Sequence, residues 1–289
     1  MLLDVKITGF DALSLTADPA AIAEFKGRNT SKLDDIATFM AGKDNLLDAQ
    51  SIAAQLFPVG KADVFLSHAH ANQDAVVSLA LALEAAGLTV FVDSCVWGNV
   101  YDLLLRVDTA RSRIEGEQHL FHYRHATRTA ANMYMILNVA LHRMIDNAEL
   151  MLFLDTDAVR VEQYLEDKAF IGSPWIFSEL MFATMVGRRA RPGKSVGLET
   201  FTEALAKTFD SALPPLVRYE LPPSSHTMEA SVLMQLVRDA QRHARVLKSM
   251  GRQPEPDVFL EPFYTRLPVT AMERRLLGWP PLAVAQPAR

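Results

Sequence analysis

One stretch of about thirty residues constrains the fold more than any other. Residues 62–67, ADVFLS, form a short β-rich apolar run; residues 73–86, QDAVVSLALALEAA, have the length and pattern of a helix that Gly87 ends; residues 88–93, LTVFVD, are a second apolar run. Two strands joined through a helix run parallel, because the crossover returns the chain to the edge from which the first strand started. ELMLFLD, 149–155, supplies a third core strand after the long helical stretch TAANMYMILNVALHRMIDNA, 129–148. The alternation Leu3, Val5, Ile7 suits another strand, as does LVRYEL at 216–221, and MEASVLMQLVRDAQRHARVL, 228–247, is expected as a late amphipathic helix. The expectation is an α/β fold: an open parallel sheet of about five strands flanked by helices, with an N-terminal extension and a Pro-rich C-terminal tail.

In such a sheet ligands bind beyond the carboxyl ends of the strands, near the point where strand order reverses. Those ends are Ser67-His68-Ala69-His70, Asp93-Ser94 and Asp155-Thr156-Asp157, and all three are expected to open on one edge.

Proline divides the chain. None occurs between Pro58 and Pro174, while twelve of fifteen lie from Pro192 onward, so the regular elements belong to the middle. The expected organisation is an extension over 1–60, which includes the helix-like DDIATFMAGKDNLLDAQSIAAQLF; a central domain over 61–240 with an insert at about 107–130; and a partly irregular C-terminal extension over 241–289. A net charge of −5 argues against a nucleic-acid partner, since phosphate binding needs a surplus of Lys and Arg on one face. Cys95 is the single cysteine and can form no internal disulfide. The start MLLDVKITGF lacks a cationic region followed by an apolar run, and no stretch reaches the roughly 18 apolar residues that span a bilayer, so no membrane partner and a cytoplasmic location are expected.

SPWIFSEL, 173–180, carries the most unusual chemistry. Ser173 is a good N-cap, Pro174 suits the first helical position and Gly187 marks an exit, so a helix over about 174–186 is well signposted. Between Ser173 and Gly187, Glu179 is the only charged residue, among apolar side chains that cover most of the circumference, so the helix is expected to be largely buried. Trp175 and Glu179, four apart, share one side. A buried carboxylate is costly unless paired, hydrogen-bonded or facing a ligand, so Glu179 is either structural or part of a site.

Four segments in order, DVFLSHAH (63–70), GLTVFVDSCVWG (87–98), ELMLFLDT (149–156) and SPWIFSEL, resemble the Toll/interleukin-receptor (TIR) domain in its bacterial form. The first is similar to that family's opening strand, the second to its second strand and following BB loop, and Trp175-Ile176-Phe177-Ser178-Glu179 to its Trp-x-x-x-Glu helix. The resemblance covers about residues 60–240 and implies a flavodoxin-like TIR fold. The insert at about 107–130 and the long stretch 155–172 depart from the family's pattern.

Similarity to enzymatic TIR domains, and to the TIR proteins of Thoeris-type antiphage defence, implies cleavage of the nicotinamide–ribose bond of NAD. The helix glutamate, here Glu179, would be catalytic. Trp175 would wall the ribose and nicotinamide, Trp97 in the loop from Asp93 to Gly98 would close over the ring, and Ser67, His68 and Ala69 would approach the nucleotide. NAD is the substrate and no separate cofactor is implied. Self-association and a downstream effector that senses the product are the implied partners. The alternative is a non-enzymatic TIR scaffold with a structural Glu179.

Other residues have plainer readings. His68 and His70, two apart at a strand end, diverge and lack companion ligands, so no metal site is expected. His119, His122 and His125 suit a solvated face, and Cys95 a free loop thiol with no His partner. Trp97 either packs beneath its loop or meets the ligand. Asp93 and Asp155 would suit a phospho-acceptor receiver, but that fold needs acids after its first strand, where this chain has Ser-His-Ala-His.

Overall fold

A computed structural model describes residues 1–10, 15–28, 61–92, 94–97, 100–117, 119–160, 170–191 and 218–280. Five strands form one parallel sheet: β1 (Leu3–Thr8), β2 (Val64–Ser67), β3 (Val90–Val92), β4 (Leu150–Leu154) and, taken here out of chain order, β7 (His226–Glu229). Across the sheet they run β3-β2-β4-β1-β7. Two further pairs of residues, β5 (Phe170–Ile171) and β6 (Tyr219–Glu220), make a separate antiparallel ladder. LVRYEL therefore supplies only this small ladder, and the fifth sheet strand is β7, at the start of the stretch expected as helix.

The helices are α1 over residues 19–28, α2 (Gln73–Ala85), the short α3 (Ser94–Trp97), α4 (Val100–Arg111), α5 (Tyr123–Asn147), α6 (Pro174–Met185), α7 (Ala230–Ser249), α8 (Asp257–Thr265) and α9 (Ala271–Leu276). Among the described residues no helix is long and apolar enough to cross a membrane.

Period-2 alternation sorts the strand side chains into two cores. Leu3, Val5 and Ile7 of β1, Val64 and Leu66 of β2, and Leu150, Leu152 and Leu154 of β4 face one layer, packed by α1, α2, α7 and α8. Phe65, Met151 and Phe153 face the other, packed by α4, α5 and α6. The alternate residues of β1 are polar: Asp4, Lys6 and Thr8 share the second face. Asp4 is buried there, bonded to Ser225 and Arg188.

The segments expected as extensions share this packed unit. β1 lies between β4 and β7, paired with both, so the N-terminal stretch begins inside the sheet. The border expected near 240 falls within the continuous α7, and Phe259, Leu260, Phe263 and Tyr264 of α8 are buried in the core formed by β1, β2 and β4. The helix expected over 34–57 and the tail 281–289 lie outside the described residues.

Local signals hold where they are strongest. Gly87 leaves α2 at φ +101°, and a Cβ there would stand 2.8 Å from the Pro254 carbonyl oxygen, so both its backbone and its surroundings require glycine. Ser173 caps α6 by accepting from the Ile176 N–H at 3.3 Å, with Pro174 at the first turn. The helix leaves through Val186 in extended conformation. The insert region is ordinary helix around a short connection: Arg113 bridges Phe121, and α5 starts six residues before its expected beginning.

Candidate functional site

The strand order β3-β2-β4 places the switch point between β2 and β4: the chain leaves β2 for β3 on one side, then crosses to β4 on the other. Beyond those two carboxyl ends lie the residues that the sequence singled out. Thr156, just past β4, donates to the Asn72 Oδ1 at 2.8 Å, joining the turn after β2 to the segment after β4. The Gly172 N–H bonds the Val159 carbonyl at 3.1 Å and brings the start of α6 to the same place.

Ser67 ends β2 on the face of Phe65, because it lies two positions further along the strand, and that face looks toward α6. Its hydroxyl donates to Glu179 Oε2 at 2.5 Å. Glu179 is 0% exposed and belongs to the buried stripe Ile176, Glu179, Leu180, Ala183. The rest of α6 is less covered than its sequence implies, with Met185 62% exposed. Its apolar circumference is spread over several neighbours instead: Phe177 stacks on Tyr219 at 4.8 Å and Phe182 on His142 at 4.2 Å.

Trp175, one turn before Glu179, is half-buried and packs against Tyr134 of α5, with ring centroids 5.4 Å apart. Behind it Ser178 donates to Asn138 Oδ1 at 2.7 Å, so the His142 Nε2 at 2.9 Å donates to the same hydroxyl oxygen. Burial lowers the pKa of His142, and the contact with Ser178 opposes this in part. The serine proton points away from the histidine, so this trio is an interhelical tie and not an activated nucleophile.

His68 is buried, with Nε2 2.8 Å from Ser94 Oγ. Gln73 donates to both the carbonyl and the hydroxyl of Ser94, each at 3.1 Å, so three residues pin the start of α3 to the end of β2. Ala69 is also buried, with its side chain in the second core, and its carbonyl accepts from the Asn72 N–H at 2.9 Å. It therefore offers a ligand no side chain. Asp93 lies outside the described residues; Trp97 ends α3, and its side chain is likewise outside them. The structure thus gathers Ser67, His68 and Glu179 with Ser94, Gln73, Asn72 and Thr156.

Sequence reasoning missed a charged corner of the same edge. Arg160 bonds Asp155, and Lys6 Nζ stands 3.8 Å from the second oxygen of that carboxylate. The one available signal was polar alternation in β1, which carries information only once β1 is known to lie beside β4. His119, His122 and His125 are exposed, as a solvated face requires, whereas Cys95 is buried. No group of three or more His, Cys, Asp or Glu is placed to hold a metal among the described residues. No protein-family model matches the chain, and neither a curated protein nor a solved structure matches it.

Proposed function

We propose that the chain is a TIR-type enzyme that cleaves the bond between nicotinamide and ribose in NAD, releasing nicotinamide and ADP-ribose or a cyclic ADP-ribose-type signal. The observation that carries this reading is Glu179: a fully buried carboxylate bonded by Ser67 at the carboxyl edge of a parallel sheet, next to its switch point. Buried carboxylates are costly, and such costs concentrate at sites.

The chemistry suits one carboxylate. Nicotinamide leaves a pyridinium as a neutral molecule, so no acid need protonate it, unlike ordinary glycoside hydrolysis with two carboxyl groups. An anion about 4 Å from the developing oxocarbenium contributes on the order of 4 kcal/mol at an effective dielectric near 20, about three decades in rate. Ser67 fixes the direction of that anion. Trp175 stands one helical turn from it, where an aromatic face can meet the ribose or the ring. Glu179 is fully buried, so the chain around it must open for NAD to reach it, which suits an enzyme ordered by self-association in the cytoplasm. The product would serve bacterial antiphage immunity by reaching a separate effector.

A second reading is a scaffold that acts through self-association or partner binding. Complete burial of Glu179 favours it, as do Met135 and Val139, exposed one turn apart on α5. Nicotinamide release separates the two: the purified protein, concentrated or with a phage-derived activator, is incubated with NAD beside Glu179→Gln. Release by wild type alone supports the enzyme. Equal inertness under conditions that assemble the protein selects the scaffold, and equal activity removes Glu179 from the mechanism.

A further inference from the structure

Arg160 follows β4, and its side chain is 2% exposed. Nη2 bonds Asp155, while Nη1 is buried and meets no hydrogen-bond partner among the described residues. A buried guanidinium N–H without an acceptor is costly, and native structures leave few of them. Lys6 shares the same carboxylate at 3.8 Å, so two cations meet at Asp155. Glu229, at the end of the neighbouring β7, is exposed and bonded to the Thr8 hydroxyl, where solvent screens it.

Register places this corner relative to Glu179. Ser67 pairs with Phe153, and Phe153 with Lys6, so Ser67 and Lys6 stand in one row across β2, β4 and β1. Two strand spacings separate them, about 10 Å. Lys6 shares the face of α6 because Leu3, Val5 and Ile7 point into the opposite core. The Asp155 N–H bonds the Ile7 carbonyl at 2.9 Å, which continues the ladder and keeps Asp155, two residues past Phe153, on that face. The carboxylate bonded to Ser67 and the two cations thus lie at opposite ends of one row, in the order that the glycosidic carbon and the 5′ phosphate of one ribose would need.

We infer that Arg160 and Lys6 form the seat for the diphosphate of the nucleotide, with Asp155 holding the guanidinium so that Nη1 meets a phosphate oxygen. Arg suits the role because its planar fork matches phosphate geometry while one edge stays on a carboxylate. This rests on the dinucleotide reading of Glu179, but its test needs no bond cleavage.

Titration calorimetry of the full chain with ADP-ribose and with inorganic diphosphate is the experiment. Wild type binds both; Arg160→Gln and Lys6→Gln each weaken ADP-ribose binding about 10- to 100-fold; Glu179→Gln binds diphosphate as wild type does. Circular dichroism checks that each variant is folded. Should Arg160→Gln unfold, Lys6→Gln decides, because Lys6 is partly exposed and its loss is tolerated. The seat is overturned if wild type binds neither probe, if it binds diphosphate but not ADP-ribose, or if Lys6→Gln and any folded Arg160→Gln match wild type. Intact binding with no nicotinamide release from assembled wild type would instead remove the enzyme reading and leave the seat standing.

Discussion

At the edge where the strands begin, Arg191 is matched on every side; at the edge where they end, Arg160 is not. Arg191 is 4% exposed, and each of its nitrogens has its own carboxylate: Nε meets Glu149 at 2.7 Å, Nη1 meets Glu261 at 2.6 Å, and Nη2 meets Asp257. Tyr264 completes the knot by donating to Glu149 at 3.0 Å. Burial disfavours the charged Arg191, and Glu149, Asp257, Tyr264 and Glu261 outweigh it, so its pKa rises. Burial also raises Glu149 against the opposing pull of Arg191, and it raises Tyr264 well above the usual phenol range. At an N–O separation of 2.7 Å Arg191 and Glu149 form a costly buried pair held by its neighbours. A network with every donor answered is a staple that ties α8 to the start of β4. One with a donor unanswered is where the proposed diphosphate would bind.

The sharpest way to break this contrast is to remove the two arginines in turn. Arg191→Met should cost about 3–5 kcal/mol in urea unfolding, because it strands buried carboxylates. Arg160→Gln should cost about 1–2 kcal/mol, since Asp155 keeps Lys6. Equal costs would mean that the two edges do the same job.

Glu179→Gln should lower nicotinamide release about a thousandfold while leaving the unfolding midpoint unchanged or higher. The amide still accepts from Ser67 and no longer carries a buried charge. A large loss of stability would move Glu179 to the structural side of the comparison. Gly87→Ala tests the first edge again, where α2 meets Pro254: a strained φ and a Cβ 2.8 Å from a carbonyl should cost about 1–3 kcal/mol by thermal unfolding.

The smallest effect concerns pH. His142 has a folded pKa below its ordinary 6.5, so the unfolded chain binds the proton more readily. Its contribution to stability is complete above 6.5 and is lost as pH falls through the folded value. Urea midpoints between pH 7.5 and 5 should therefore fall more for wild type than for His142→Phe, and parallel slopes would show that the α5–α6 tie carries no proton linkage.

How much of this was legible in the sequence follows from the range of each signal. The β2-α2-β3 unit, β4 and the cap of α6 depend on neighbours within a few residues, and all were readable. So was the meeting of Ser67, His68, Ser94 and Thr156 at one edge, because parallel strands place their ends together. β7 was hidden, since His-Thr-Met-Glu is four residues long and runs straight into α7, whose pattern absorbed it. Arg160 was invisible for a different reason. Its meaning needs Lys6 beside Asp155, a contact between residues 149 apart, and no local pattern states that β1 lies next to β4.

The place of β1 has a consequence for how the chain is made. β1 leaves the ribosome well before both its partners, at residues 150–154 and 226–229, while β2, α2 and β3 can pair as soon as they emerge. Pairings of such long sequence separation form late, because loop closure comes before any contact repays it. Until then β1 carries two open edges and an apolar side, a segment that a second nascent chain or a chaperone would hold. The corner joining Lys6 to Arg160 cannot exist before that wait ends, so no partly made chain presents an assembled diphosphate seat.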